Sequence, residues 1–265
     1  MKKISSPQNP RLKNAIRLKT SRGRKTQRRI IVFGLREVQR AIESGIQPLE
    51  IFLSSEMLSQ EDCHAFQELA GDGAVVYDLP AGLMQRLKYG DREVEVVLVA
   101  QRPELTLDKL TLEGSPLVVI LESIEKPGNI GAVLRSMDGA GATALILVEP
   151  QCDLLHPNCI RASMGSVFTV PAAIATVSEV KKWAQQNALP LYAARDSARL
   201  PYTEADFVAP TAVAFGNESV GLSDSWCAES ITGLRIPMAG ISDSLNVSVA
   251  AAVMLFEAKR QRGLA

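Results

Sequence analysis

Three polar stretches in the second half of the chain carry side chains able to act together. The first runs Glu122-Ser123-Ile124-Glu125-Lys126-Pro127-Gly128-Asn129-Ile130-Gly131-Ala132-Val133-Leu134-Arg135 and offers an amide, Asn129, and a guanidinium, Arg135. The second, Gly216-Asn217-Glu218-Ser219-Val220-Gly221-Leu222-Ser223, sets a carboxylate among small residues between two glycines. The third, Ile236-Pro237-Met238-Ala239-Gly240-Ile241-Ser242-Asp243-Ser244-Leu245-Asn246, brings Asp243 and Ser244 to the start of an apolar helix. Each stretch follows an apolar run that reads as a strand, and in an open α/β sheet ligands bind outside the carboxyl ends of the strands. Any one of them alone is ordinary turn chemistry. Three in one sheet define a shared pocket, and Arg135, less than two helical turns beyond the first loop, is expected to point back towards it.

The elements that must position these loops follow from apolar periodicity and from Gly and Pro punctuation. Strands are expected at Leu117–Leu121, Ala144–Val148, Phe168–Val170, Leu191–Ala194, Thr211–Phe215 and Leu234–Ile236. Helices are expected at Ile130–Gly141, Val177–Gln186 and Leu245–Arg260, the last capped by Asp243 or Ser244. Runs apolar on both faces imply a parallel sheet covered by helices on each side. The last helix is apolar nearly all round from Leu245 to Phe256, which predicts burial and a second subunit packed on its surplus face. Upstream, helices at Arg11–Lys19, Arg36–Ser44, Met57–Leu69 and Ala81–Leu87 alternate with strands at Ile30–Phe33, Leu49–Leu53, Ala74–Tyr77 and Val94–Ala100, a small α/β unit. Ser21 to Arg29 reads as a charged loop. The domains are therefore 1–100, a linker at 101–115 that is rich in polar residues and carries Pro103, and 116–265.

The chain has 265 residues with formal net charge zero, and the charge is unevenly spread. Residues 1–29 hold 11 Lys and Arg and no Asp or Glu, leaving 18 cations to face all 29 carboxylates elsewhere. A basic arm on an acidic body points to a polyanionic partner, of which nucleic acid is the usual one. No run is long and apolar enough to span a membrane, the N-terminus has no apolar signal core, and no Cys pair has C-x-x-C spacing. Those features predict a cytoplasmic protein with reduced thiols, no zinc site and no membrane contact. The phosphate-loop pattern G-x-x-x-x-G-K-[ST] and the zinc pattern H-E-x-x-H are absent, and the two histidines, His64 and His156, stand beside no nucleophile elbow. Gly139-Ala140-Gly141-Ala142-Thr143-Ala144 spells a dinucleotide fingerprint but runs from helix to strand, the wrong order for one.

Taken together, the motifs resemble the SpoU class of SPOUT methyltransferases, which methylate ribose 2′-hydroxyls of tRNA and rRNA. Asn129-Ile130-Gly131-Ala132 with Arg135, Gly216-Asn217-Glu218 with Gly221-Leu222-Ser223, and Ile236-Pro237-Met238 with Ser244-Leu245-Asn246-Val247-Ser248 carry the likeness. Arg161-Ala162-Ser163-Met164-Gly165-Ser166 belongs to it as well. The likeness spans roughly residues 115–260. Ser6-Pro7-Gln8-Asn9-Pro10 and Gly34-x-Arg36 resemble the RNA-binding domain often fused to this class, with Phe33 where relatives commonly carry an acid. The resemblance implies an α/β catalytic domain with a deep trefoil knot, which is otherwise almost unknown. It further implies S-adenosylmethionine as cofactor, an obligate homodimer and an RNA substrate. By position it implies cofactor contacts at Gly216, Ile236 and Leu245, and a catalytic set of Asn129, Arg135, Glu218, Ser244 and Asn246.

The expected chemistry is methyl transfer from an already activated sulfonium, which requires no metal. A ribose hydroxyl is a weak nucleophile and must have its proton drawn away. An arginine with pKa above about 12 is a poor base, so Arg135 is expected to stabilise the developing alkoxide or to fix a phosphate that does. Glu218 takes the proton or orients Arg135; Ser244 and Asn246 bond the ribose or hold the loop. The expected substrate is large-subunit rRNA, with tRNA or a non-catalytic RNA-binding assembly role as the alternatives.

Overall fold

Strand-length apolar runs bounded by Gly, Pro and polar residues assemble into two sheets. The computed structural model describes residues 1–263. They form two compact units, one of Met1–Pro103 with Leu155–Thr169, the other of the rest of the chain.

The first unit is built on a five-stranded sheet of β1 (Lys2–Lys3), β2 (Arg29–Phe33), β3 (Pro48–Leu53), β4 (Val75–Asp78) and β5 (Val96–Gln101), in the order β1-β4-β3-β5-β2. β4 runs parallel to β1 and β3, whereas β5 runs antiparallel to β2 and β3. Five helices accompany it: α1 (Pro10–Arg17), α2 (Ser21–Gln27), α3 (Leu35–Glu43), α4 (Gln60–Ala70) and α5 (Ala81–Leu87).

The helix expected near Arg11–Lys19 forms as α1 and packs inward: Ile4, Leu12, Ala15 and Leu18 lie in the core with Ile31, Phe52 and Met84. The charged loop expected at 21–29 is corrected, because α2 forms there. The Thr20 hydroxyl accepts from Gly23 N at 3.1 Å and caps the helix. Gly23 is required by close approach, since a Cβ there would stand 1.9 Å from Arg17 O. The Arg24 side chain, one of the cations counted in the basic arm, is fully buried and donates to Leu18 O (3.0 Å) and Lys19 O (3.1 Å). The Lys19 ammonium donates to Arg86 O and Lys88 O, with its pKa lowered by burial. Arg11 and Arg29 both pair with the buried Glu50, at 3.1 and 3.6 Å.

The second unit carries a seven-stranded sheet of β6 (Leu117–Glu122), β7 (Ala144–Val148), β8 (Ala172–Ala175), β9 (Leu191–Ala194), β10 (Leu200–Pro201), β11 (Thr211–Phe215) and β12 (Ile231–Arg235). The order is β10-β12-β9-β11-β6-β7-β8 and every pairing is parallel, as runs apolar on both faces require. α6 (Pro127–Ala140), α8 (Val177–Gln186) and α9 (Val247–Gln261) are its helices; α7 (Pro157–Ala162) lies in the segment that packs with the first unit. Val118, Ile120, Ile146, Ala212 and Ala214 face Val180 and Ala184 of α8 together with Trp226. The alternate residues Val119, Leu121, Leu145, Leu147 and Val213 are equally buried on the other face.

Three local expectations fail for one physical reason, side chains bonding to nearby backbone. Phe168–Val170 is not a strand. Ser163 Oγ donates to Ile160 O and Ser166 Oγ to Ser163 O, both at 2.8 Å, and Thr169 Oγ1 donates to Ser166 O at 3.2 Å, which winds 163–169 into turns and leaves the strand to Ala172–Ala175. The cap of α9 is Asn246, not Asp243 or Ser244: its Oδ1 accepts from Ser248 N at 2.9 Å and from Ser248 Oγ at 2.7 Å. Ser59 caps α4 by accepting from Asp62 N at 3.0 Å, so that helix starts three residues later than Met57.

α9 ends in a clamp. Arg262 Nε donates to Phe207 O and its Nη1 to Ser115 O, each at 2.6 Å; Nη2 reaches Ala209 O at 3.2 Å. Burial lowers the Arg262 pKa, yet the group stays charged. Hydrogen bonds to a charged group contribute about 1.5–3 kcal/mol. Arg262→Ala is therefore expected to lower the urea midpoint by a free energy in that range with an unchanged m-value. A loss within a few tenths of a kcal/mol would show that the clamp does not hold the helix.

Candidate active site

The carboxyl ends of β9, β11 and β12 lead into loops that line one cavity of about 290 Å³, and the loop after β6 is hydrogen-bonded to the one after β11. Side-chain hydrogen bonds tie these loops together. Glu122, the last residue of β6, is buried at 4% exposure, and its carboxylate accepts from Ser223 N and Ser223 Oγ, both at 2.7 Å. Asn217, after β11, donates through Nδ2 to Ser123 O (2.9 Å) and Glu125 Oε1 (3.2 Å), while its Oδ1 accepts from Ser219 N at 2.7 Å. Its backbone exchanges hydrogen bonds with Gly221 at 3.1 and 2.9 Å, closing a tight hairpin. Gly216 is demanded by that closure, for a Cβ there would fall 2.1 Å from the carbonyl carbon of Gly221, and Gly221 itself sits at φ +71°.

The hairpin presents Glu218. Asn129 Nδ2, in the first turn of α6, donates to Glu218 Oε1, and Asn246 Nδ2 reaches Asn129 Oδ1 at 3.5 Å. One residue from each of the three sequence motifs thus joins a single chain of polar groups. Glu218 Oε2 is buried and has no hydrogen-bond partner. Cys152 lies near enough to feel this carboxylate. Its thiol is pushed up to about 11, first by burial and then by the charges of Asp153 and Glu218.

The cavity is lined by Gly216, Glu218, Ile236, Ser244 and Leu245, and by the apolar side chains of Leu234, Met238, Val247 and Met254. Asn129 and Asn246 adjoin it through the hydrogen bonds just given. Arg135 does not line it: the residue is exposed on α6, one helical turn before Gly139, where an added Cβ would lie 3.6 Å from the Phe256 ring of α9. Two charged lining residues escape the sequence motifs. Arg195 and Asp196 follow β9, and Arg195 Nη2 donates to Ser223 O at 2.6 Å while its Nε is buried without a hydrogen-bond partner. Their signal was position alone, an ion pair's worth of charge immediately after a strand's carboxyl end. Glu122 and Asn217 stood inside the motifs, but their task, holding loops, needed the fold to be seen.

Residues 116–256 match the SpoU rRNA Methylase family, and residues 9–97 match the MRM3-like substrate binding domain. The chain is 34% identical over 189 residues to the 23S rRNA (uridine(2479)-2′-O)-methyltransferase of Streptomyces viridochromogenes, an overlap of 69% of this chain and 66% of that relative. It is 36% identical to the tRNA (guanosine(18)-2′-O)-methyltransferase of Thermus thermophilus over 68% of this chain and 87% of the relative. Among solved structures, an AdoMet-bound rRNA methyltransferase from Sinorhizobium meliloti superposes with a TM-score of 0.89 at 28% identity, covering 100% of this chain and 98% of that one. The chain belongs to the SpoU rRNA methylase family.

The Cys152 thiol reports on the charge of Glu218. With a pKa of about 11 it is almost wholly protonated at neutral pH, so iodoacetamide should modify the exposed Cys227 first. Labelling of Cys152 should accelerate as pH rises towards 11. Glu218→Gln removes one of the charges that hold the thiol up and should shift the profile to lower pH. Identical profiles in the two proteins would mean that no ionised Glu218 stands beside Cys152.

Proposed function

We propose that this chain is an S-adenosylmethionine-dependent RNA methyltransferase acting on a ribose 2′-hydroxyl of large-subunit rRNA, and that it works as a homodimer in the cytoplasm. The observation that carries this reading is the chain of polar groups Asn246–Asn129–Glu218, which ends at a buried carboxylate oxygen with no partner beside a cavity. The rRNA assignment is supported by coverage. The solved rRNA methyltransferase matches the whole chain, substrate-binding unit included, and in sequence a 23S rRNA (guanosine-2′-O-)-methyltransferase of Pseudomonas putida matches 87% of the chain at 30% identity, against 68% for the tRNA relative.

The residues present suit the cofactor. Ile236, Leu245 and the bare backbone of Gly216 offer an apolar wall and close main-chain approach, while Glu218 and Asp196 place negative charge where a cationic ligand gains from it. S-adenosylmethionine, when bound, supplies a methyl group activated by its sulfonium. The rest is this chain's work. Glu218 is the proton acceptor for the ribose hydroxyl or the group that orients Arg135. Asn129 fixes the Glu218 carboxylate in place, Asn246 fixes Asn129, and Ser244 bonds the ribose. Arg135 stabilises the oxygen that loses its proton. The knot implied by the resemblance would run through the loops that frame this cavity.

The dimer reading rests on exposed apolar surface. Val249 and Phe256 of α9 are 47% and 49% exposed, and α9 packs along α6. A second subunit on that face would cover both and bring Arg135 to the interface. Met254, equally apolar in sequence, is only 2% exposed and lines the cavity, so it belongs to its own subunit's core. Val249→Asp is the clean probe and should shift a light-scattering dimer towards monomer at micromolar concentration, because an unpaired buried charge is costly. A wild type that is monomeric at those concentrations would end the dimer reading.

Arg135→Ala should leave folding and calorimetric binding of S-adenosylhomocysteine intact while cutting methyl transfer to unmodified rRNA at least about a hundredfold, the scale of losing one preorganised donor. Arg135→Lys should also lose most activity, since a point-charge ammonium does not reproduce a planar fork. Near-normal transfer by folded Arg135→Ala protein would move the catalytic burden to Glu218. No transfer by the wild type, together with no heat from S-adenosylhomocysteine, would leave a non-catalytic RNA-binding role.

A further inference from the structure

The first unit holds a cleft of about 240 Å³ that the reaction above does not use. Its aromatic floor is Phe33 and Tyr89, stacked with centroids 5.7 Å apart and planes 24° apart, both only half-buried. Tyr89 is held from behind. The His156 ring meets it edge-on at 6.0 Å, and its Nε2 lies 3.5 Å from the Tyr89 hydroxyl. His156 Nδ1 accepts from Asn158 N at 3.1 Å, which leaves Nε2 as the ring's N–H and the tyrosine oxygen as its acceptor. Gly34 and Gly90, at φ +94° and +72°, each follow one of the two aromatic residues and turn the chain away from the ring.

Charge surrounds this floor in both signs. Arg36, Arg92 and Arg161 supply guanidiniums; Glu37, Glu93 and Glu95 supply carboxylates. Arg161 is steered by Asn158 Oδ1, which accepts from its Nη2 at 3.0 Å. A groove meant for a continuous phosphate track would be cationic throughout, and a bare apolar groove would carry no guanidinium. Aromatic faces, a few arginines and as many acceptors match a single nucleotide. The base stacks, the phosphate takes the arginines, and an exocyclic amine on the base edge donates to a carboxylate.

We propose that this cleft captures one unstacked nucleotide of single-stranded RNA, the base continuing the Phe33–Tyr89 stack, the phosphate on Arg92 and Arg161, and a base amine on Glu93 or Glu95. The inference rests on the RNA-substrate reading above and extends it to a named subsite. The cleft is assembled from both matched family segments within one compact unit, Phe33 to Glu95 from the substrate-binding segment and Pro157 to Arg161 from the methylase segment. A nucleotide seated there is therefore gripped by both segments. The acceptors favour a base with an amine, so cytidine should bind better than uridine.

The test is fluorescence anisotropy of the full-length protein with single-stranded oligocytidine and oligouridine of about twelve nucleotides, and with a duplex of the same length. Tyr89→Ala should weaken single-strand binding at least about fivefold, the range for losing one stacked base, with no change in the salt slope. Tyr89→Phe should restore it. Arg92→Ala should weaken binding and reduce the salt slope by roughly 0.7, the value for one phosphate on a single strand. Duplex affinity should not respond to Tyr89→Ala. Wild-type affinity in folded Tyr89→Ala and Arg92→Ala proteins would overturn the proposal, as would equal losses for duplex and single strand, which mark a plain phosphate surface. Should Tyr89→Ala melt early, direct ultraviolet crosslinking of oligocytidine to the wild type decides: crosslinks in peptides holding Phe33 or Tyr89 support the cleft, and crosslinks only elsewhere overturn it. Methyl transfer measured on the same wild-type preparation separates the two readings. Transfer without Tyr89-dependent binding removes the cleft alone; Tyr89-dependent binding without transfer removes the enzyme alone.

Discussion

A buried carboxylate at the end of β6 is the contact on which the site depends. A carboxyl side chain at 4% exposure is costly unless its oxygens are bonded, and both oxygens of Glu122 are used on one residue, Ser223, 101 positions away in sequence. That pins the far end of the 216–223 hairpin to the strand beside β11. Asn217 pins the near end to the loop after β6 through Ser123 O and Glu125. Between these two anchors the backbone turns so tightly that position 216 has no room for a Cβ. With both ends fixed, Glu218 has little freedom left, and Asn129 takes what remains. A reacting group held by a rigid, fully bonded support is what preorganised chemistry requires.

What could be read from sequence divides along the same line. Strands and helices whose boundaries are set by burial were legible to the residue: Ala144–Val148, Val177–Gln186, Leu191–Ala194 and Thr211–Phe215 form where apolar pattern and turn signals place them. Segments decided by one hydroxyl or one guanidinium bonding to nearby backbone were not. Ser163 and Ser166 wind a stretch that otherwise looks like strand, Asn246 displaces the expected cap, and a buried Arg24 turns a charged loop into a helix. At the site the motifs delivered Gly216, Glu218, Ile236, Ser244 and Leu245 around the cavity, but not Arg135, which is exposed on α6 outside the lining. They could not deliver Arg195 and Asp196, because a charge after a strand is informative only once that strand's neighbours are known.

The basic N-terminus shows how composition overstates a surface. Eleven cations without an acid read as a track for phosphates. In the fold Arg24 and Lys19 spend their donors on backbone carbonyls, and Arg11 and Arg29 converge on Glu50. Arg24 ties α2 to the end of α1, Lys19 ties that end to α5, and Arg11 ties α1 to β3, so these cations hold the unit together before they meet any partner. Removing residues 1–29 would take out core as well as charge, and a binding defect in such a truncation would say nothing about phosphates. Single substitutions at exposed cations such as Lys13 or Arg22 keep the core and isolate the charge.

The remaining step concerns where the fold leaves its polar groups short. Glu218 Oε2 and Arg195 Nε are buried without hydrogen-bond partners, and both residues line the same cavity. Each such atom costs on the order of 1–3 kcal/mol relative to a bonded one. A few residues away, the same loops satisfy Glu122 and Asn217 completely, so the shortfall is not poor loop construction. Among the residues lining this cavity it falls on one acid and one base, held by partners that leave one atom of each unused. Groups in that condition gain most from a ligand carrying both a donor and an acceptor, and the gain adds to whatever the apolar wall contributes. Two of these atoms thus lie where the motifs point, by an argument that uses no relative at all, while Ser54 Oγ and Trp226 Nε1 are left short outside the cavity lining.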